Sequence, residues 1–137
     1  MRLMIAAGTP VFELERIRLL DGAPLSLDRS ILHGRLAEIL DGVDFAAESL
    51  YATLRSRAGV VPSRADVVFR AIAADADAAR LLDVPIGAAL LELTETVFDQ
   101  YGEPFEAATL LNRGDRYAFG TTLGTHARQR IELGGPD

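Results

Sequence analysis

From residue 10 to residue 20 the chain alternates. Phe12, Leu14, Arg16 and Arg18 fall on one face of an extended segment, and Val11, Ile17 and Leu19 on the other. Apolar side chains on both faces predict a strand that is largely buried. Asp21-Gly22 is a strong turn signal, and Ala23-Pro24 follows it. Residues 25–32, LSLDRSIL, read as the return strand of a hairpin, with the register open because the loop could hold two to four residues. The mixed pattern of residues 33–48 predicts one or two short helical turns, with Asp44 as a candidate N-cap. Ser49 is another, because Leu50 and Leu54 after it stand at helical spacing and Gly59 supplies a stop.

The second half repeats the alternation. Residues 61–73 predict a strand with Val67, Phe69 and Ala71 on one side. Asp75 opens a short helix that packs through Leu81, Leu82 and Val84 and ends at Pro85-Ile86-Gly87. Residues 89–100 alternate loosely through Leu91, Leu93 and Val97. A turn at residues 100–104 then leads into residues 105–123 as the other half of a hairpin, with a bulge expected near Gly114. The segment from His126 to Asp137 reads as a frayed polar tail. Hairpin, helix, strand, short helix, hairpin is the order of an α+β domain with a mainly antiparallel sheet.

Composition narrows the function. A chain of 137 residues is one domain with room for a core, and 49% apolar content fits a globular protein. No apolar run reaches the ~20 residues of a membrane span, so no membrane partner is expected. A net charge of -6 argues against this domain gripping nucleic acid by itself. The absence of cysteine excludes disulfides and thiolate metal sites and fits a cytoplasmic protein. All 14 basic residues are Arg, so arginine as such is no signal and only its placement can be.

Little chemistry of the usual kinds is legible. His33 and His126 are the two histidines, and neither has a partner at ligand spacing, so no metal is expected. No nucleophile motif, phosphate loop or dinucleotide fingerprint occurs, so no catalytic residue and no cofactor are expected. Arg16 and Arg18 stand apart. Their Cβ atoms lie about 6–7 Å apart on one face of a strand, and guanidinium groups that close repel unless an anion separates them. Glu13 and Glu15 point to the other face. Two readings stay open: Asp28 on the return strand supplies the anion, or a bound phosphate or carboxylate does. Ser49 either caps its helix alone or also offers the helix start to an anion. Glu106, just past the turn among Phe105, Ala107 and Ala108, either offsets the arginines or accepts hydrogen bonds from a ligand.

PVFELERIRLLDGAPLSLDRS, ESLYATL and LLDVPIGAALLELTETVFDQYGEPFEAATLLNRGDRYAF together closely resemble the UTRA domain, the effector-binding domain of the HutC-type branch of GntR bacterial transcription regulators. R-x-R with D-G-x-P, then S-L-Y, L-x-V-P-x-G and R-G-D-R-Y, in that order, carry the resemblance, which runs from about Gly8 to Leu123. It implies a fold shared with chorismate lyase, an antiparallel sheet flanked by helices with a pocket between them. It implies a homodimer, and DNA contact only through an N-terminal winged-helix domain that this sequence lacks. It implies a ligand-binding domain over residues 1–123 that begins inside the family pattern, without its first strand and helix, and a tail over 124–137. It also implies that Arg16, Arg18 and Ser49 hold the anionic part of an effector and that Glu106 touches its polar body. Leu111 and Asn112 stand where many members carry aromatic residues that pack on a sugar, a departure that counts against a hexosamine phosphate. Tyr117 and Asp115 are expected to close the last hairpin.

The expected function is thus a sensor that binds a small anionic metabolite and controls DNA binding through a dimer. The alternatives are a chorismate lyase-like enzyme and a dimerisation module without a ligand.

Overall fold

Residues 11–33 form the hairpin. Strand β1 (Val11–Leu20) and strand β2 (Ala23–His33) pair antiparallel across a two-residue turn. Asp21 and Gly22 both take positive φ, 51° and 80°, the requirement of a tight turn whose twist matches its strands. A computed structural model describes residues 8–124; the histidine at 126 and the polar tail beyond it lie outside the described residues.

A 3-10 turn (Gly34–Leu36), helix α1 (Ala37–Leu40) and helix α2 (Leu50–Ala58) follow. The backbone N–H of Arg35 donates to His33 Nδ1, so this histidine caps the turn. Asp44 caps a turn at residues 45–47, not a helix, accepting from the N–H of Ala46. Ser49 is the helix cap: its hydroxyl accepts from the N–H of Ala52, and Gly59 at φ 66° stops the helix. Strand β3 (Pro62–Ala73), helix α3 (Ala76–Leu82, capped by Asp75), strand β4 (Ala89–Asp99) and strand β5 (Pro104–Arg113) follow among the described residues. All pairings are antiparallel, in the order β1-β2-β5-β4-β3. This is the expected α+β fold.

The core is divided by the sheet. Leu32 and Leu27 are five residues apart on β2, an odd step that sends them to opposite faces. Leu32 packs with Leu36, Leu40, Leu50 and Leu54 of the helical segment, and with Val97 and Phe105. Leu27 packs with Ala78, Ala79 and Leu82 of α3, and with Leu90 and Leu111.

Two expectations fail. β1 is not largely buried: it is an edge strand, and Ile17 and Leu19 on its outer face are 41% and 62% exposed. Phe12 and Leu14 account for its inner apolar stripe, while α3 packs on β2 and leaves the outer stripe uncovered. The β4–β5 hairpin forms, but its last strand stops at Arg113, short of residue 123, with no bulge near Gly114, and Asp115 and Tyr117 lie beyond its end. Gly114 and Asp115 are turn formers, and a Cβ at Gly114 would meet the Ala89 carbonyl oxygen at 2.7 Å. Asp115 instead holds the Arg113 guanidinium in a two-bond fork, and the chain runs on to set Phe119 against Phe69, ring centres 4.3 Å apart.

Gly34 is needed for closeness. A Cβ there would lie 2.1 Å from the Pro10 carbonyl oxygen, whereas one at Gly120 would touch nothing. Gly34→Ala is expected to cost about 1–3 kcal/mol in urea unfolding, and Gly120→Ala less than about 0.5 kcal/mol. Equal midpoints for the two variants would contradict the packing of residue 10 on the 3-10 turn.

Candidate functional site

On β2, Ser26, Asp28 and Ser30 alternate inward, and all three are buried. A run of buried polar residues on the inner face of a central strand costs desolvation free energy unless each finds a partner. Asp28 and Ser30 form part of the floor of a cavity of ≈ 370 Å³ between the sheet and the start of α2. Arg16 and Arg18 of β1 line it, with Ser49, Glu106 of β5 and Glu95 of β4. The structure thus brings all four sequence-predicted residues, Arg16, Arg18, Ser49 and Glu106, into one cavity.

The two arginines are not equivalent. Asp28, 2% exposed, stands opposite Arg16 in the register, yet its carboxylate pairs with Arg18 Nε, one inward position along β1. Ser26 Oγ donates to its other oxygen at 3.3 Å. Arg16 has no ion-pair partner among the described residues, and its Nε is buried without a hydrogen-bond acceptor. Glu15, on the other face as expected, pairs with Arg29 at 3.0 Å. A buried donor left unsatisfied costs about 1–3 kcal/mol, and a ligand oxygen at the guanidinium edge would recover it.

At Ser49 the helix presents its N-terminal turn to the cavity, where unpaired N–H groups and the helix dipole favour negative charge. Two residues on, Tyr51 donates its hydroxyl to Glu106 Oε1 at 2.6 Å, its ring edge-on to Phe105. Burial, and then the Glu106 charge, push the Tyr51 hydroxyl well above its ordinary value, so it stays a proton donor. Burial pushes the Glu95 carboxyl up, helped by the carboxylates of Glu106 and Asp28 and opposed by Arg18.

Sequence reasoning missed Tyr51, Ser30 and Glu95 as lining residues, and took Asp28 only as a pairing partner. A signal for Glu95 existed: in Leu91, Leu93, Glu95, Val97 it is the one charged residue on an inward apolar stripe. Asn112 is outside the cavity and donates to the Leu91 carbonyl, and Leu111 packs in the cluster beneath α3. Among the described residues no group of three or more His, Cys, Asp or Glu side chains could hold a metal ion.

A family model described as the UTRA domain matches residues 1–118. The chain is 30% identical over 118 residues to the HTH-type transcriptional repressor NagR of Bacillus subtilis, covering 85% of this chain and 48% of that protein. It is 32% identical over 125 residues to the HTH-type transcriptional repressor PhnF of Mycolicibacterium smegmatis, covering 90% of this chain and 50% of that one. The chain therefore spans about half the length of these curated relatives. Its fold superposes on the solved effector domain of PhnF with a TM-score of 0.83 at 29% identity, over 90% of this chain and 75% of that one.

The Glu95 environment has a stability consequence. A carboxyl held above its ordinary value of 4.5 binds its proton more tightly in the folded chain than in the unfolded one. Its contribution is complete below that ordinary value and is lost as pH rises through the raised one. Glu95→Gln cannot ionise. The variant is expected to melt higher than the wild type near neutral pH, with the gap closing as pH falls below 4.5. A lower melting temperature near neutrality would contradict the desolvation account.

Proposed function

This chain belongs to the UTRA domain family, and from that premise we propose that it senses a small anionic metabolite, bearing a phosphate or a carboxylate, for a bacterial transcription regulator. The matched relatives are transcriptional repressors, and the chain is a regulatory ligand-binding domain, not an enzyme. The unpartnered Arg16, facing the same cavity as the N-terminus of α2, carries the anion assignment. Arg16 supplies the charge and the fork, Ser49 and the first turn of α2 supply N–H donors, and Arg18 holds the local field while tied to Asp28. Glu106, oriented by Tyr51, meets the polar body of the ligand. The ligand-free dimerisation reading draws on the Arg18–Asp28 pair, but that pair occupies one arginine of the two.

In this reading the anion ties β1 to α2, two elements that meet across the cavity. Occupancy favours whichever arrangement of a cytoplasmic HutC-type homodimer brings them together. The effector then shifts DNA binding by the remainder of the regulator only by its preference between arrangements.

Thermal melting against inorganic phosphate, sugar phosphates and di- and tricarboxylates tests the anion assignment. A binder at 100-fold its dissociation constant should stabilise the chain by ~2.7 kcal/mol. Arg16→Ala is expected to abolish the shift. A shift of full size in that variant would place the anion elsewhere.

A further inference from the structure

The far side of the cavity asks for more than an anion. The strand register lays its floor out as a grid. Leu14, Ser30, Ala108 and Glu95 form one row across four strands, with Arg16, Asp28, Leu110 and Leu93 in the next. Glu106 sits in the row on the opposite side, beside Leu32 and Val97. Strand and residue spacings put the Cα atoms of Arg16 and Glu95 roughly 15 Å apart, and those of Glu95 and Glu106 roughly 8 Å apart.

Charge is therefore sorted across the floor. On the β1 side Arg18 is neutralised by Asp28, and Arg16 is the spare cation. On the β4–β5 side stand two carboxylates. Neither Glu95 nor Glu106 has an ion-pair partner among the described residues. Glu106 receives a hydrogen bond from Tyr51, a neutral donor that leaves its charge in place.

An anionic ligand alone would satisfy Arg16 and add a further negative charge near two uncompensated carboxylates. Hydroxyl groups would hydrogen-bond those carboxylates without removing their repulsion. Among the described residues no group of three or more His, Cys, Asp or Glu side chains stands there to hold a metal ion by protein ligands alone. An ammonium group removes the repulsion and donates three hydrogen bonds.

Building on the anion-sensing reading, we propose that the ligand is a zwitterion, its anionic group at Arg16 and the start of α2 and its ammonium group between Glu95 and Glu106. Glu95 is then the residue that selects amine-bearing anions from plain ones.

Calorimetric titration of the 137-residue chain tests this. The probes are 2-aminoethyl phosphate against ethyl phosphate, 3-aminopropyl phosphate against propyl phosphate, 4-aminobutyrate against butyrate, and glycerol phosphate as the hydroxyl-bearing comparison. In at least one matched pair the amine is expected to bind roughly ten-fold or more tightly. Glu95→Gln should level the pair without weakening the amine-free member, and Arg16→Ala should weaken both. If every amine-free probe binds as well as its partner, or if glycerol phosphate binds best, the ammonium inference falls and the anion reading stands. If a chain shown to be folded by circular dichroism binds none of the probes, both fall.

Discussion

Asp28 sits almost without solvent on the second strand, and its charge has to be answered from within the fold. Arg18 answers it from the edge strand, with Ser26 beside it. That choice sets the character of the whole cavity. With Asp28 engaged, the arginine directly across from it has nothing to hold, and the carboxylates on β4 and β5 face no cation of their own. One ion pair at the β1–β2 side of the floor leaves Arg16 beside it short of negative charge and the β4–β5 side short of positive charge.

Such an arrangement is stable only because the rest of the domain carries it. The two leucine-rich clusters lie on opposite faces, one under α1 and α2 and the other under α3. The cavity occupies the stretch of the inner face beyond the first cluster, where the start of α2 stands above the strands without filling the space. Burial of polar groups there is a local cost offset by apolar packing elsewhere, as expected of a binding site on an otherwise consistent fold.

Much of this was legible in the sequence, and the reasons are local. The Asp21-Gly22 turn, the Ser49 and Asp75 caps and the Gly59 stop are short-range signals, and each stands where its chemistry requires. Arg16 and Arg18 were visible because two like charges at a two-residue step share one strand face. What escaped depends on pairing. No local pattern says that β5 inserts between β2 and β4, which is what carries Glu95 and Glu106 to the same cavity as Arg16. Nor does alternation reveal that β1 is the outermost strand, since its apolar outer residues read the same whether or not anything covers them. Tyr51 was hidden because a helix-start tyrosine looks like packing until the acceptor beneath it, 55 residues on, is known.

The position of β1 at the rim has a dynamic meaning. A strand bonded to the sheet along one side only is the first to open, because fewer hydrogen bonds and fewer buried contacts hold it than hold β2 or β5. Arg16 therefore stands on one of the two least anchored strands. A molecule gripped by that arginine and by the start of α2 would act as a clasp, suppressing fraying of the first strand. The protein would register its effector as a loss of local motion at one margin of the sheet as much as a change of shape.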